Sequence, residues 1–199
     1  MTIISKPVAV IITALIFTLS GCANKSVTPD RLSQSVIENA SPWSMAVKTN
    51  SHGILPVHFY PSTSMVETFD GSFPSIRVVL HGHLKAPRSD LALDTPMEVV
   101  VDGNVSLSSD QKNLIITDAY LNSLSLPKLH KPMTFAIQSG LKSALDQAIP
   151  FKMNGVRLHS PSDFLIEDLA QSQRGERVIL DDSLKISTEG VQFRLVDIQ

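Results

Sequence analysis

Between Met97 and Leu107 apolar and polar side chains alternate without a break. Met97, Val99, Val101, Gly103, Val105 and Leu107 fall on one side, and Glu98, Val100, Asp102, Asn104 and Ser106 on the other. Successive side chains of a strand point to opposite faces, so a period of two with one wet face is the pattern of an antiparallel strand over a core. The neighbouring segments extend it. Ser75 to Leu84 puts Ile76, Val78, Leu80, Gly82 and Leu84 on one face and Arg77, Val79, His81 and His83 on the other. Ser108 to Asn113 reads as a turn, and Leu114 to Leu126 as the long returning strand. Strands adjacent in sequence and joined by short turns make a β-meander.

Helices flank the meander. Thr28 suits an N-cap, Pro29 a first turn and Asp30 the positive end of a helix dipole; Leu32, Val36 and Ile37 then form one apolar stripe that ends near Asn39. A longer helix is expected from Pro132 to Ile149, with Met133, Ile137, Leu141, Ala144, Leu145 and Ala148 on one face and Pro150 as its stop. Gly140 inside that helix costs up to about 1 kcal/mol, which implies close approach of another backbone or of a ligand. Ala40 to Phe73 holds Pro42, Pro56 and Pro61 and reads as irregular, with one possible strand at Ile54 to Tyr60. Val156 to His159, Arg177 to Leu180 and Val191 to Val196 are expected as short strands, and Ser162 to Leu169 as a helical turn. The order is that of a single α+β domain, a long helix packed against a curved antiparallel β-sheet.

The N-terminus has a different character. Lys6 precedes an uncharged run, Val8 to Leu19, which would span about 18 Å as helix, short of the roughly 30 Å of a bilayer core. A basic start, a short apolar run and small residues at its end describe a signal peptide. Leu19-Ser20-Gly21-Cys22 resembles the lipobox of bacterial lipoproteins, in which the cysteine receives a diacylglycerol and the chain is cut between Gly21 and Cys22. Cys22 is the single cysteine, so no intrachain disulfide competes for it. The expected organisation is a signal peptide over 1–21, a lipidated tether over 22–27 and a folded domain over 28–199. Membrane attachment is then through acyl chains on Cys22, two or more of which hold stably. Ala23 and Asn24 after the cysteine, rather than an aspartate, favour the periplasmic face of the outer membrane in a Gram-negative host.

Groups that carry chemistry are sparse. The formal net charge is −2, spread along the chain, which gives no footprint for nucleic acid. His81 and His83 share a strand face and could share a metal, but no third ligand lies at a suggestive spacing, and the pair is read as solvent-facing. Asp181-Asp182 reads as a turn. No Gly-x-Ser-x-Gly elbow and no phosphate-binding glycine loop occurs. No catalytic residue, metal or cofactor is expected, and the chain is read as a non-enzyme.

The lipobox, the segment Val27 to Val36, the strand Val78-Val79-Leu80-His81-Gly82, the strand pair from Met97 to Leu126 and the helix before Pro150 together resemble the YceB-like periplasmic lipoproteins. That resemblance implies a tubular lipid-binding fold, in which a curved sheet wraps a long helix and leaves an apolar groove. It implies that Val78, Leu80, Val99, Val101, Leu141, Leu145 and Phe193 line a groove for an acyl chain. The same faces would also build an ordinary filled core. Two functions stay open: binding of a lipid or other hydrophobic ligand, or a protein-interaction module of an envelope complex that docks through Ala40 to Phe73.

Overall fold

The computed structural model describes residues 23–49, 53–71, 73–86, 93–127, 131–160 and 177–197. The signal segment with Gly21 and Cys22, together with His52, His130 and the turn expected from Ser162, lies outside the described residues. Strand β1 (Ala23–Val27) leads into helix α1 (Pro29–Asn39), followed by β2 (Trp43–Thr49), β3 (Gly53–Thr68), β4 (Ile76–Ala86), β5 (Leu93–Leu107) and β6 (Leu114–Ser125). Helix α2 (Lys131–Met153) comes next, then β7 (Arg157–His159), β8 (Arg177–Ile179), a short 3-10 helix (Asp181–Ser183), β9 (Lys185–Ser187) and β10 (Gly190–Asp197). The strands form two antiparallel sheets. One runs β2-β3-β4-β5-β6-β7; in the other, β10 pairs with β1, β8 and β9.

The larger sheet is strongly curved, which follows from what the helices touch. Helix α2 packs against both β2 and β6, and α1 against both β3 and β7. Strands four positions apart in a flat sheet stand about 19 Å from one another, whereas a helix with its side chains is about 10–12 Å across. Only a sheet curled around the helices brings both strands to one helix. Bulges supply the bend. In β3 the register shifts between Pro61 and Thr63, and the buried side changes from Leu55, Val57 and Phe59 to Val66 and Thr68. In the β5–β6 pair it shifts twice, near Val100 and Asp102, where Asp118 takes a φ of 53° and the buried side of β6 passes from Leu114 and Ile116 to Ala119.

Gly82 and Gly103 stand opposite these bulges. A Cβ on Gly82 would overlap the Tyr60 carbonyl oxygen, and one on Gly103 would sit 2.9 Å from the Thr117 oxygen. Side chains are therefore missing where the curl brings backbones closest.

Several elements differ from expectation. The expected tether, residues 23–27, is strand β1, held in register by β10 from Ala23↔Leu195 to Val27↔Val191. The stretch read as irregular holds β2 and the 16-residue β3; the possible strand at Ile54 to Tyr60 lies inside β3, which runs on to Thr68. Its prolines fit because Pro56 lies where β3 is paired on the β2 side only, and Pro61 sits at the bulge. Pro150 does not stop α2, which continues to Met153. A proline removes one helical hydrogen bond, and burial of Ile149 and Met153 on either side holds the last turn in place. Asp181-Asp182 opens a 3-10 helix. Both expected helices and the curved antiparallel sheet are present, but a second antiparallel sheet accompanies the first, and strands rather than a long helix dominate the fold.

Other expectations match. Helix α1 begins after Thr28 and buries Leu32 and Val36, although the Thr28 hydroxyl makes no capping bond. Ser33 fastens α1 to β3: its Oγ donates to the Pro29 carbonyl and accepts from the Val66 N–H, both at 2.8 Å. Gly140 resolves in favour of a backbone neighbour, since a Cβ there would overlap the Lys48 carbonyl oxygen of β2.

Candidate functional site

The interior between α2 and the concave face of the sheet is apolar throughout most of its length. Cross-strand pairs Val78↔Val101 and Leu80↔Val99 form a four-residue block on β4 and β5. Leu141 and Leu145, one turn apart on α2, belong to the same hydrophobic cluster, with Phe59, Ile76, Met97 and Ile149. Six of the seven groove candidates therefore meet inside the curl. Phe193 joins the cluster from the second sheet, where its ring lies 6.2 Å from that of His159. All seven are between 0% and 2% exposed, so their side chains fill the interior in this conformation.

One polar group on that face is unusual. Thr95 follows the inward parity of Leu93, Met97 and Val99, pairs with Leu84 across β4, and is 4% exposed. Its Oγ1 has no hydrogen-bond partner among the described residues. Other buried hydroxyls are satisfied: Ser75 accepts from the Val105 N–H, and Ser183 donates to the Leu180 carbonyl. A buried hydroxyl left unpaired costs about 1–3 kcal/mol. Its position, in the part of β5 that begins the strand, places this hydroxyl on the wall of the apolar interior.

The convex face holds the ionisable groups. His83 Nδ1 is 2.8 Å from Asp94 Oδ1, Lys85 Nζ is 3.1 Å from the other carboxylate oxygen, and His81 Nδ1 is 3.6 Å from Glu98. Hydrogen bonds from His83 and Lys85 hold the Asp94 carboxyl below its ordinary range. Sequence spacing had offered His81 and His83 no acidic neighbour; the β4–β5 register supplies one to each, Glu98 directly across from His81 and Asp94 close to His83. The two carboxylates serve separate histidines, and among the described residues no group of three or more potential ligands is placed to hold a metal.

Arg77 and Asp102 form a pairing that sequence reading missed. They are directly opposite on β4 and β5, with Nε–Oδ1 at 2.8 Å and a second guanidinium bond of 3.0 Å to Oδ2. Asn122 donates to the same Oδ2 at 2.6 Å, and the Phe69 ring lies 5.4 Å beneath the guanidinium. Burial pushes the Asp102 carboxyl up, but bonds from Arg77 and Asn122, the Arg77 charge and a bond from Tyr120 outweigh it and hold the group low. Asp102 raises the Arg77 pKa in turn. Alternation places both residues on the wet face, and the β4–β5 register sets them opposite each other. Phe73, largely exposed, stacks on Tyr120 at 6.1 Å beside this network.

Among the described residues no helix is long and apolar enough to cross a membrane. No protein-family model and no curated protein matches the chain. Among solved structures it is similar to a crystal structure of lipopolysaccharide binding protein, at 12% identity over 88% of this chain and 49% of that one, with a TM-score of 0.25. The chain thus spans about half of that protein's length.

Proposed function

We propose that the protein is a membrane-anchored periplasmic lipoprotein that takes a lipid or other hydrophobic molecule between α2 and the concave face of its sheet, and that it is not an enzyme. The observation that carries this reading is the curl of the sheet around α2, with an apolar interior and one unpaired hydroxyl, Thr95, on its wall. Apolar walls with few polar anchors are the composition of small-molecule sites. Because the interior is filled, an acyl chain enters by displacing side chains of α2 from the strands, and Thr95 gives its hydroxyl to an ester or acid oxygen of the ligand.

Anchoring follows from the lipobox resemblance at Gly21-Cys22, and the outer membrane from the residues after it. The order of elements also supports the resemblance to YceB-like lipoproteins. The test uses the chain from Ala23 onward, purified without detergent. Native mass spectrometry is expected to find it carrying extractable lipid, and a fluorescent fatty acid is expected to bind with a blue-shifted emission. The bare polypeptide mass together with no uptake of the probe would overturn the reading.

An interaction module without a ligand is the second reading, favoured by Met65, Phe73 and Tyr120, which remain exposed on the convex side. Crosslinking from membranes followed by loss of the product in a Phe73→Ser variant would support it.

A further inference from the structure

The second sheet carries a polar cleft that the lipid-binding reading does not use. Its volume is about 570 Å³, and its lining combines the Lys25, Lys185 and Arg194 cations with a single carboxylate, Asp182. The chain as a whole has the opposite balance, with a formal net charge of −2.

The strand register explains how the cleft arises. Asn24 pairs with Arg194 and Ser26 with Gln192, so these four exposed side chains share the outer face of the β1–β10 pair; Lys185, paired with Gln192, continues it on β9. Neither Lys185 nor Arg194 has a carboxylate partner among the described residues. Two cations, neighbouring hydroxyl and amide groups and a concave surface are the donor set for an anion with several oxygens, and a guanidinium binds phosphate through two parallel bonds.

Placement then selects the source of that phosphate. Ala23, the first residue of β1, is bonded directly to Cys22, and β1 is held along its whole length by β10. With no slack between an acylated Cys22 and the sheet, the cleft would lie at the headgroup level of the membrane.

We infer that this cleft binds the phosphate of an anionic membrane lipid through Lys185 and Arg194, seating the domain on the bilayer in one orientation. The inference rests on the acyl anchor at Cys22, which is checked separately by the mass of the peptide containing that residue.

The test uses the full chain with Cys22→Ala, so that acyl attachment does not mask headgroup binding. Its partition onto vesicles of phosphatidylcholine with about a third phosphatidylglycerol is divided by its partition onto phosphatidylcholine alone, which cancels any contribution of the N-terminal apolar run. A cation at an anionic surface contributes roughly a fivefold gain, so the K185Q/R194Q pair is expected to lower the ratio about twenty-five-fold. A K142Q/K152Q control on the exposed side of α2 is expected to leave it unchanged, and Arg194→Lys to retain most of it. Unfolding followed by Trp43 fluorescence verifies that each variant is folded.

A ratio unaffected by K185Q/R194Q, or lowered equally by the control, would overturn the inference. Stabilisation by millimolar inorganic phosphate without preference for phosphatidylglycerol would overturn the membrane as source. An unacylated Cys22 would remove the anchor and, with it, the stated orientation, whatever the vesicles show.

Discussion

Replacing Gly140 by alanine tests the packing of α2 on the sheet with a change of sign. In a solvent-facing helix position this substitution stabilises, by about 0.8–1 kcal/mol, because alanine loses less backbone freedom on folding. At Gly140 the added Cβ would overlap the Lys48 carbonyl oxygen and stand 3.0 Å from Val47 Cγ1. The obstacle is main chain of β2, which cannot swing aside as a side chain does, so the cost lies near the upper end of the roughly 1–3 kcal/mol typical of overpacking. Subtracting the helical gain leaves a net loss of about 2 kcal/mol, or about 4–8 °C in Tm for a domain of this size.

The readout is built in. Trp43 is the single tryptophan, is 2% exposed and begins β2, the strand that α2 would push away. Its fluorescence in urea reports both global unfolding and any local loosening of β2. Ser139→Ala, at the exposed neighbouring position, serves as control and should raise the midpoint slightly. A Gly140→Ala protein more stable than the wild type would refute the backbone contact between α2 and β2, and with it the geometric basis for the curl.

Three further outcomes are expected. Thr95→Val should stabilise the ligand-free protein by about 1 kcal/mol or more, since it removes an unpaired buried hydroxyl, while weakening uptake of the fluorescent fatty acid; a loss of stability in urea melts would mean the hydroxyl has a partner. Leu145→Ala should cost about 2–5 kcal/mol, whereas Phe151→Ala, on a side chain 88% exposed, should stay within about 0.5 kcal/mol by the same melts. Arg77→Ala should destabilise most at neutral pH. Because the Asp102 carboxyl is held low in the folded state, its pairing contributes fully above the unfolded pKa of about 3.9 and is lost as pH falls through the folded value. The difference in urea midpoint between Arg77→Ala and wild type should therefore shrink below about pH 4, and a gap that widens on acidification would contradict the pairing.

The elements legible in the sequence are those where local pattern and tertiary role agree. The alternation from Met97 to Leu107 matches the buried face of β5, and the stripe Leu32–Val36 matches the buried face of α1. The failures have identifiable causes. Prolines obscure the length of β3, of which only Ile54 to Tyr60 reads as a possible strand, yet one stands where pairing is one-sided and the other at a bulge. Strand β1, Ala-Asn-Lys-Ser-Val, has only Val27 buried among the side chains described, so no periodicity announces it; β10 alone makes it a strand. The candidate groove was legible as two apolar faces. Whether those faces enclose space or each other depends on the curl, which arises from bulges at Pro61, Asp102 and Asp118 that no period of two reveals. Arg77 and Asp102 were each visible on the wet face, but the register that joins them is a long-range property.

The pairing of β1 with β10 also sets the order in which the molecule can assemble. Ala23 finds its strand partner in Leu195, so nearly the whole chain must be synthesised before the first strand has anything to bond to. Loop closure over that distance is slow, and contacts so far apart in sequence delay folding. Strands β2 to β6 face no such delay, since each pairs with its immediate successor. Ala23 to Val27 would thus stay unpaired while the meander forms, and would be fixed in a sheet only when the last strand arrives.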